Sequence, residues 1–449
     1  MAAMIDRRRF LLQAGGAVAA AFGGWQRALA AVAPPLVADR LRPDPDGVLD
    51  LPEGFDYTVL SRAGTLMDDG LLVPGGCDGM AAFPGEGGRV VLVRNHELDA
   101  RSGPVFGTAF GAGDARLANV DRARLYDAGG EGPSYGGTTT LVLAPGARQV
   151  EAQFLSLGGT LRNCAGGPTP WGSWLSCEES LQSADTRHTR DHGWVFEVPS
   201  SHRGLVDARP LAALGRFNHE AAAVDPATGI VYLTEDRPDG LFYRFVPHER
   251  GRLAAGGRLQ ALAIAERASA DTRGWQAQTA ICEPGCALRV RWIDLDGVDA
   301  PGDDLRLRGH AGGAALFARG EGLWWGSDAC WFACTSGGAA QAGQIFRFRP
   351  DARGGSLTLF VESTDPARFA NADNLTVAPW GDLIVCEDTN RACRLLGVRP
   401  DGSLYALARN PYNDSELAGA CFAPDGRTLF VNVQWAGLTL AIRGPFESL

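Results

Sequence analysis

His219-Glu220-Ala221-Ala222-Ala223-Val224-Asp225-Pro226 carries a short apolar strand from a glutamate to a proline turn. Val231-Tyr232-Leu233-Thr234-Glu235-Asp236 then returns and ends in two more acids. This is the pattern of a β-hairpin, and antiparallel pairing brings the start of one strand beside the end of the other. The same pattern runs from Cys77-Asp78-Gly79-Met80 to Pro84, from Asn163-Cys164-Ala165-Gly166 to Pro170, from Arg319-Gly320-Glu321-Gly322 to Ser327, and from Ala372-Asp373-Asn374-Leu375 to Pro379. Aligned on the turn, Asp78, Cys164, Glu220, Glu321 and Asp373 share one position, and all five side chains can ligate a metal. A sixth copy, Glu416 to Pro424, has Ala418 at that position and Glu416 two residues earlier.

The returning strands also end in polar residues: Asn95-His96-Glu97, Cys177-Glu178-Glu179, Glu235-Asp236, Cys334-Thr335, Cys386-Glu387-Asp388 and Asn432-Val433-Gln434. Six such hairpins arranged radially predict an all-β, six-bladed β-propeller with both polar rows at one mouth of a central channel. The 59 glycines and 26 prolines in 449 residues, with no long helical periodicity, agree with a many-turned β chain. A repeat fold also overrides the length prior of two or three domains. Alternating stretches such as Gln344-Ile345-Phe346-Arg347-Phe348 suit outer strands packed on one face.

Net charge is −10 and every one of the 42 basic residues is arginine, with no basic cluster, which argues against a nucleic-acid partner. Arg7-Arg8-Arg9-Phe10-Leu11-Leu12, an apolar stretch to Phe22 and Ala28-Leu29-Ala30 predict a twin-arginine signal over residues 1–30, ahead of one propeller domain over 31–449. The expected location is periplasmic or secreted, with the twin-arginine export machinery as a partner. That route carries folded proteins, often already loaded with a cofactor, and so supports a metal site.

Ten cysteines in an exported chain invite a disulfide reading, for which Cys282 and Cys286, flanking Pro284 and Gly285, are the best pair. Cys330 and Cys334 share one strand face and are not expected to bond, while Cys177, Cys386 and Cys421 read as buried thiols. Cys164 stands apart at the aligned position. Its thiolate favours iron there, while the surrounding carboxylates favour calcium. His96 and His219 precede acids on their strands and are expected to face away from the mouth.

The run from Asn163-Cys164-Ala165-Gly166-Gly167 to Cys177-Glu178-Glu179 resembles the PhoX-type alkaline phosphatase family, as do Phe217-Asn218-His219-Glu220 and Cys334-Thr335-Ser336-Gly337-Gly338. Val93-Arg94-Asn95-His96-Glu97, Asp373-Asn374-Leu375-Thr376 and Cys386-Glu387-Asp388 add to it in the family's order, so the likeness spans about residues 50 to 445. The resemblance implies an exported, monomeric phosphomonoesterase on a six-bladed propeller, with Fe3+ and Ca2+ in one site and a small phosphoester as substrate. It implies that Cys164 bridges the irons, that Glu220 and Glu321 are ligands, and that Arg319 steers the phosphate. Asp78, Asp373, Asn374, Glu97, Glu179 and Glu387 complete the expected ligand set. The chain departs from the family in having no lysine.

Two other classes fit the hairpin pattern. A calcium-dependent propeller hydrolase of lactones or phosphotriesters would use Asp373-Asn374 but has no need of Cys164. A non-catalytic binding propeller would need no ring of acids. No Gly-x-Ser-x-Gly elbow supports a serine hydrolase.

Overall fold

The computed structural model describes residues 36–37, 41–276, 281, 283–390 and 392–449. The signal sequence expected over 1–30 and Cys282 of the expected disulfide lie outside the described residues. Among the described residues no helix is long and apolar enough to cross a membrane.

Each hairpin forms where the sequence places it. The first pairs Cys77–Pro84 with Val90–His96, the second Asn163–Pro168 with Ser173–Glu178, and the third His219–Val224 with Val231–Glu235. The fourth pairs Gly320–Trp325 with Cys330–Cys334, the fifth Ala372–Val377 with Leu383–Glu387, and the sixth Leu417–Phe422 with Leu429–Val433. Outer strands extend each hairpin into a sheet. The sixth is completed by Asp56–Arg62 from the start of the chain, which pairs with Leu438–Arg443 and so joins the two ends of the fold.

The result is an all-β, propeller-like fold with few helices. Its sheets do not separate into six equal units. The second hairpin gains only Val195–Pro199, and the third and fourth are fused through Ala287–Asp294 into one nine-stranded sheet. The core lies between sheets rather than at the axis. Tyr232, Phe242, Phe332, Phe346 and Phe348 are fully buried between the third and fourth hairpins, with Phe242 and Phe332 stacked 4.4 Å apart. Between the fifth and sixth hairpins, Ile384 packs with Leu395, Leu429 and Leu440.

The first strands of successive hairpins approach backbone to backbone. A Cβ on Gly79 would sit 2.6 Å from Ala165 Cα of the next hairpin, and one on Gly322 would sit 2.6 Å from Asp373 O, so only glycine fits. Polar bridges cross the same seams. Asn95 Nδ2 donates to Cys164 O and Ala165 O, Thr234 Oγ1 donates to Glu321 O, and Asn432 Nδ2 donates to Asp78 O.

Candidate functional site

Every hairpin is bulged near the start of its first strand, at the same place in the first five and one residue later in the sixth. The pairing slips between Cys77 and Met80, His219 and Ala222, Gly320 and Leu323, Ala372 and Leu375, and Ala418 and Cys421, and in the second hairpin between the partners Ser176 and Glu178. A bulge sets two residues against one and turns a side chain out of the alternating pattern. The residues it frees include Asp78, Cys164, Glu220, Glu321 and Asp373, whereas in the sixth hairpin Ala418, at the aligned position, stays paired with Asn432.

Two further rows join this one. The residue after each returning strand donates its backbone N–H to the residue two before the aligned position: Glu97 to Gly76, Glu179 to Arg162, Asp236 to Asn218, Thr335 to Arg319, Asp388 to Asn371 and Gln434 to Glu416. Bulge row, return row and rim row together line one mouth.

Ligand atoms converge there in four overlapping groups: Asp78, Glu97 and Cys164; Cys164, Glu179 and Glu220; Glu220, Glu321 and Asp373; and Asp373, Asp388 and Glu416. Within each group the atoms lie within 4.8 Å of one another. Cys164, Glu220 and Asp373 each belong to two groups, which is where a bridging ligand would stand. Cys164 Sγ lies 3.5 Å from Asp78 Oδ2.

The donor set fits cations. Neither carboxylate oxygen of Glu220 has an N–H or O–H partner among the described residues, the Cys164 thiol being its polar neighbour, and the residue is fully buried. A buried carboxylate left without such a partner is costly, and a metal ion is the usual remedy. Burial, reinforced by neighbouring carboxylates, raises Asp78, Glu179, Glu220, Glu321 and Glu416 well above the usual carboxylate range and pushes Asp373 up to about 7. Burial and the charges of Asp78 and Glu220 likewise push the Cys164 thiol well up. These acids can ionise together only with positive charge among them.

Two arginines supply part of that charge. Arg319 Nε donates to Asp236 Oδ1 at 2.7 Å, and its Nη2 reaches Asp236 Oδ2 at 2.8 Å and Glu321 Oε1 at 2.9 Å. Arg162 binds Glu97 and Glu179. Gln434 Nε2 donates to both Asp78 and Glu97.

Beneath the ring the channel narrows. A cavity of about 10 Å³, room for about one water, is lined by Gly79, Ala165, Ala221, Gly322, Asn374 and Gly419, with Trp174 and Trp324 beside them.

Nine of the ten residues singled out from the sequence lie at this mouth. Asn374 lies on its floor, donating to Asp373 Oδ1 and accepting from Gly419 N–H. Glu387 is the exception: it ends the returning strand, its carboxylate is taken by Arg394 and by the Ala370 N–H, and its neighbour Asp388 occupies the mouth. His96 and His219 face away, into bonds with Gly75 O and Gly215 O. Arg162, Asp236, Asp388, Glu416 and Gln434 were not singled out. The signal for Asp388 was present, because Cys177-Glu178-Glu179 and Cys386-Glu387-Asp388 align on their cysteines.

The family model for alkaline phosphatase PhoX matches residues 37–437. A solved structure of PhoX from Pseudomonas fluorescens in complex with vanadate, a transition-state analogue, is 19% identical, with a TM-score of 0.66 over 92% of this chain and 97% of that one. A gluconolactonase from Xanthomonas campestris is 13% identical, with a TM-score of 0.43 over 92% of this chain and 100% of that one. A calcium-binding regucalcin from Agrobacterium tumefaciens is 11% identical, with a TM-score of 0.40 over 86% and 97%. Neither of these two likenesses is close enough to carry an argument. No curated protein sequence matches the chain.

Proposed function

The chain belongs to the alkaline phosphatase PhoX family, a family of phosphoric monoester hydrolases, and on that premise we propose that it is an exported phosphomonoesterase with a mixed iron and calcium site. The observation that carries the reading is Glu220, whose two buried oxygens, without an N–H or O–H partner, stand where two ligand groups overlap. Cys164, the one soft donor of the ring, joins Glu179 and Glu220 to hold iron, while the all-oxygen group of Asp373, Asp388 and Glu416 suits calcium. Such cations supply Lewis acidity toward the phosphoryl oxygens and acidify water for the attack.

The protein's own residues bind and orient. Arg319, about two-fifths exposed and fixed by Asp236 and Glu321, presents its guanidinium to the phosphate. The narrow floor lined by Asn374 and Trp324 limits water behind the bound ester to about one molecule. The six hairpins are read as six blades, the nine-stranded sheet being two of them joined at the edge, in a monomeric domain over residues 31–449 exported through a twin-arginine signal over 1–30. Vanadate bound to the Pseudomonas fluorescens protein is consistent with phosphoryl transfer in this family.

The test is elemental analysis of the natively exported protein alongside p-nitrophenyl phosphate hydrolysis. Iron and calcium together with turnover support the reading. Calcium without iron, and no monoester turnover, overturns it.

A further inference from the structure

Arg162 and Arg319 occupy equivalent places. Each stands two residues before a bulged ligand, Cys164 or Glu321, at the rim of its hairpin. Both take a left-handed backbone conformation, φ 47° and 54°, which they share with Gly76 and Asn371 at the same position of the first and fifth hairpins and which aims the four rim residues alike. Each donates its backbone N–H one residue past the return row of the preceding hairpin, to Leu98 O and Arg237 O, and each carbonyl accepts from its own return residue, Glu179 or Thr335.

The side chains are held alike, through Nε and Nη2, although Arg162 shares one oxygen of Glu97 and Arg319 takes both oxygens of Asp236. Nε and Nη2 of Arg162 grip Glu97 at 3.1 and 2.9 Å, and Nη2 also reaches Glu179 Oε2 at 2.5 Å. Nε and Nη2 of Arg319 grip Asp236, and Nη2 also reaches Glu321. Nη1 has no hydrogen bond in either residue among the described residues. The two arginine side chains are 40% and 39% exposed, while their four carboxylate partners are at most 11% exposed. Two guanidinium groups are thus held by one edge and open at the other, toward the same mouth.

We propose that Arg162 is a second phosphate-binding residue, acting with Arg319, and that the pair selects dianionic phosphate monoesters over diesters. The proposal rests on the phosphatase reading. A monoester offers three non-bridging oxygens and two negative charges, enough for two charged hydrogen-bonding groups. A diester offers two such oxygens and one charge, so two guanidinium groups must share a single negative charge. The anchoring carboxylates fix each group before substrate arrives, which reduces the ordering that binding requires.

The experiment uses the full chain as exported and metal-loaded, as wild type, Arg162→Gln and Arg162→Lys. It reads kcat and KM for p-nitrophenyl phosphate and for bis-p-nitrophenyl phosphate, binding of inorganic phosphate by calorimetry, and iron and calcium per chain. Arg162→Gln is expected to raise the monoester KM and the phosphate Kd about tenfold or more with metal content unchanged, and to narrow the monoester-to-diester ratio. Arg162→Lys keeps the charge, loses the fork, and recovers part of the loss. Unchanged KM and phosphate affinity overturn the proposal, as does a loss that follows loss of metal. If the wild type hydrolyses no monoester, the phosphatase reading falls, and the phosphate Kd of Arg162→Gln against wild type still decides the role of Arg162. If Arg162→Gln does not fold, Arg162→Lys decides alone: an unchanged KM and Kd there overturns the role of the fork.

Discussion

The mouth has a clamped arc and an open arc. From Glu97 through Arg162, Glu179, Asp236 and Arg319 to Glu321, each of two guanidinium groups is held between a pair of acids. From Asp373 through Asp388 to Glu416 three carboxylates converge, and among the described residues none forms an ion pair. The difference lies in the rim row, which carries arginine in the second and fourth hairpins and Glu416 in the sixth. One structural position thus supplies the cation on one arc and a further ligand on the other. The clamped arc is organised before any ion arrives, whereas the open arc needs an ion to offset its own repulsion.

The largest expected effect lies where the arcs meet. Glu220→Gln should cut phosphate-monoester turnover by about 10³-fold or more, a scale set by a lost cation stabilising transition-state charge. The same change should leave the melting temperature of the metal-free chain undiminished, because the native carboxylate has no N–H or O–H partner to lose, only the weakly donating Cys164 thiol beside it. A metal-free variant that melts well below metal-free wild type would mean Glu220 is held by the protein and not reserved for a cation.

A matched pair of variants separates the arcs. Glu416→Gln on the open arc should lower calcium per chain and reduce turnover at least tenfold, with recovery at higher calcium. Asp236→Asn on the clamped arc loosens Arg319 and should raise KM with calcium content unchanged. Equal calcium loss in the two would erase the distinction between arcs.

Much of this was legible because a hairpin repeats its geometry. A turn residue and a polar residue at fixed separation place Asp78, Cys164, Glu220, Glu321 and Asp373 in one row without any structure. The bulges that point them inward were not legible, since a bulge is a slip between partners and shows only once the partners are paired. The same blindness explains Glu387. In an acidic pair at a strand end one residue turns to the mouth and the other to the sheet, and a one-residue choice of register decides which. Glu416 and Arg162 share an offset of two from Ala418 and Cys164, a regularity visible in the sequence whose meaning required the backbone bonds between rim and return rows. The fusion of the third and fourth sheets through Ala287–Asp294 left no periodic signal.

The smallest expected effect on turnover comes from the buried residues behind the two arcs, and it shows in stability. Behind Asp388, Glu387 is neutralised by Arg394, a permanent cation. Behind Glu179, Glu178 is neutralised by His192, whose Nδ1 lies 2.6 Å from Glu178 Oε1 and whose Nε2 lies 3.3 Å from Asp127 Oδ2, all three side chains fully buried. Against the burial that works the other way, Glu178 and Asp127 raise His192 to about 9. A histidine raised on folding contributes its full stabilisation below the unfolded value near 6.5 and loses it as pH climbs through about 9, a difference of roughly 3 kcal/mol. Thermal denaturation of wild type between pH 6 and 10 should therefore show a decline that His192→Gln lacks, the variant being less stable at pH 6 and converging on wild type near pH 10. Monoester turnover at neutral pH should change little in a variant that remains folded, since His192 touches no mouth residue. Parallel stability profiles for the two proteins would show that His192 is neutral in the fold, leaving Glu178 held by hydrogen bonds alone, among them those from the N–H groups of Leu161, Gly193 and Trp194.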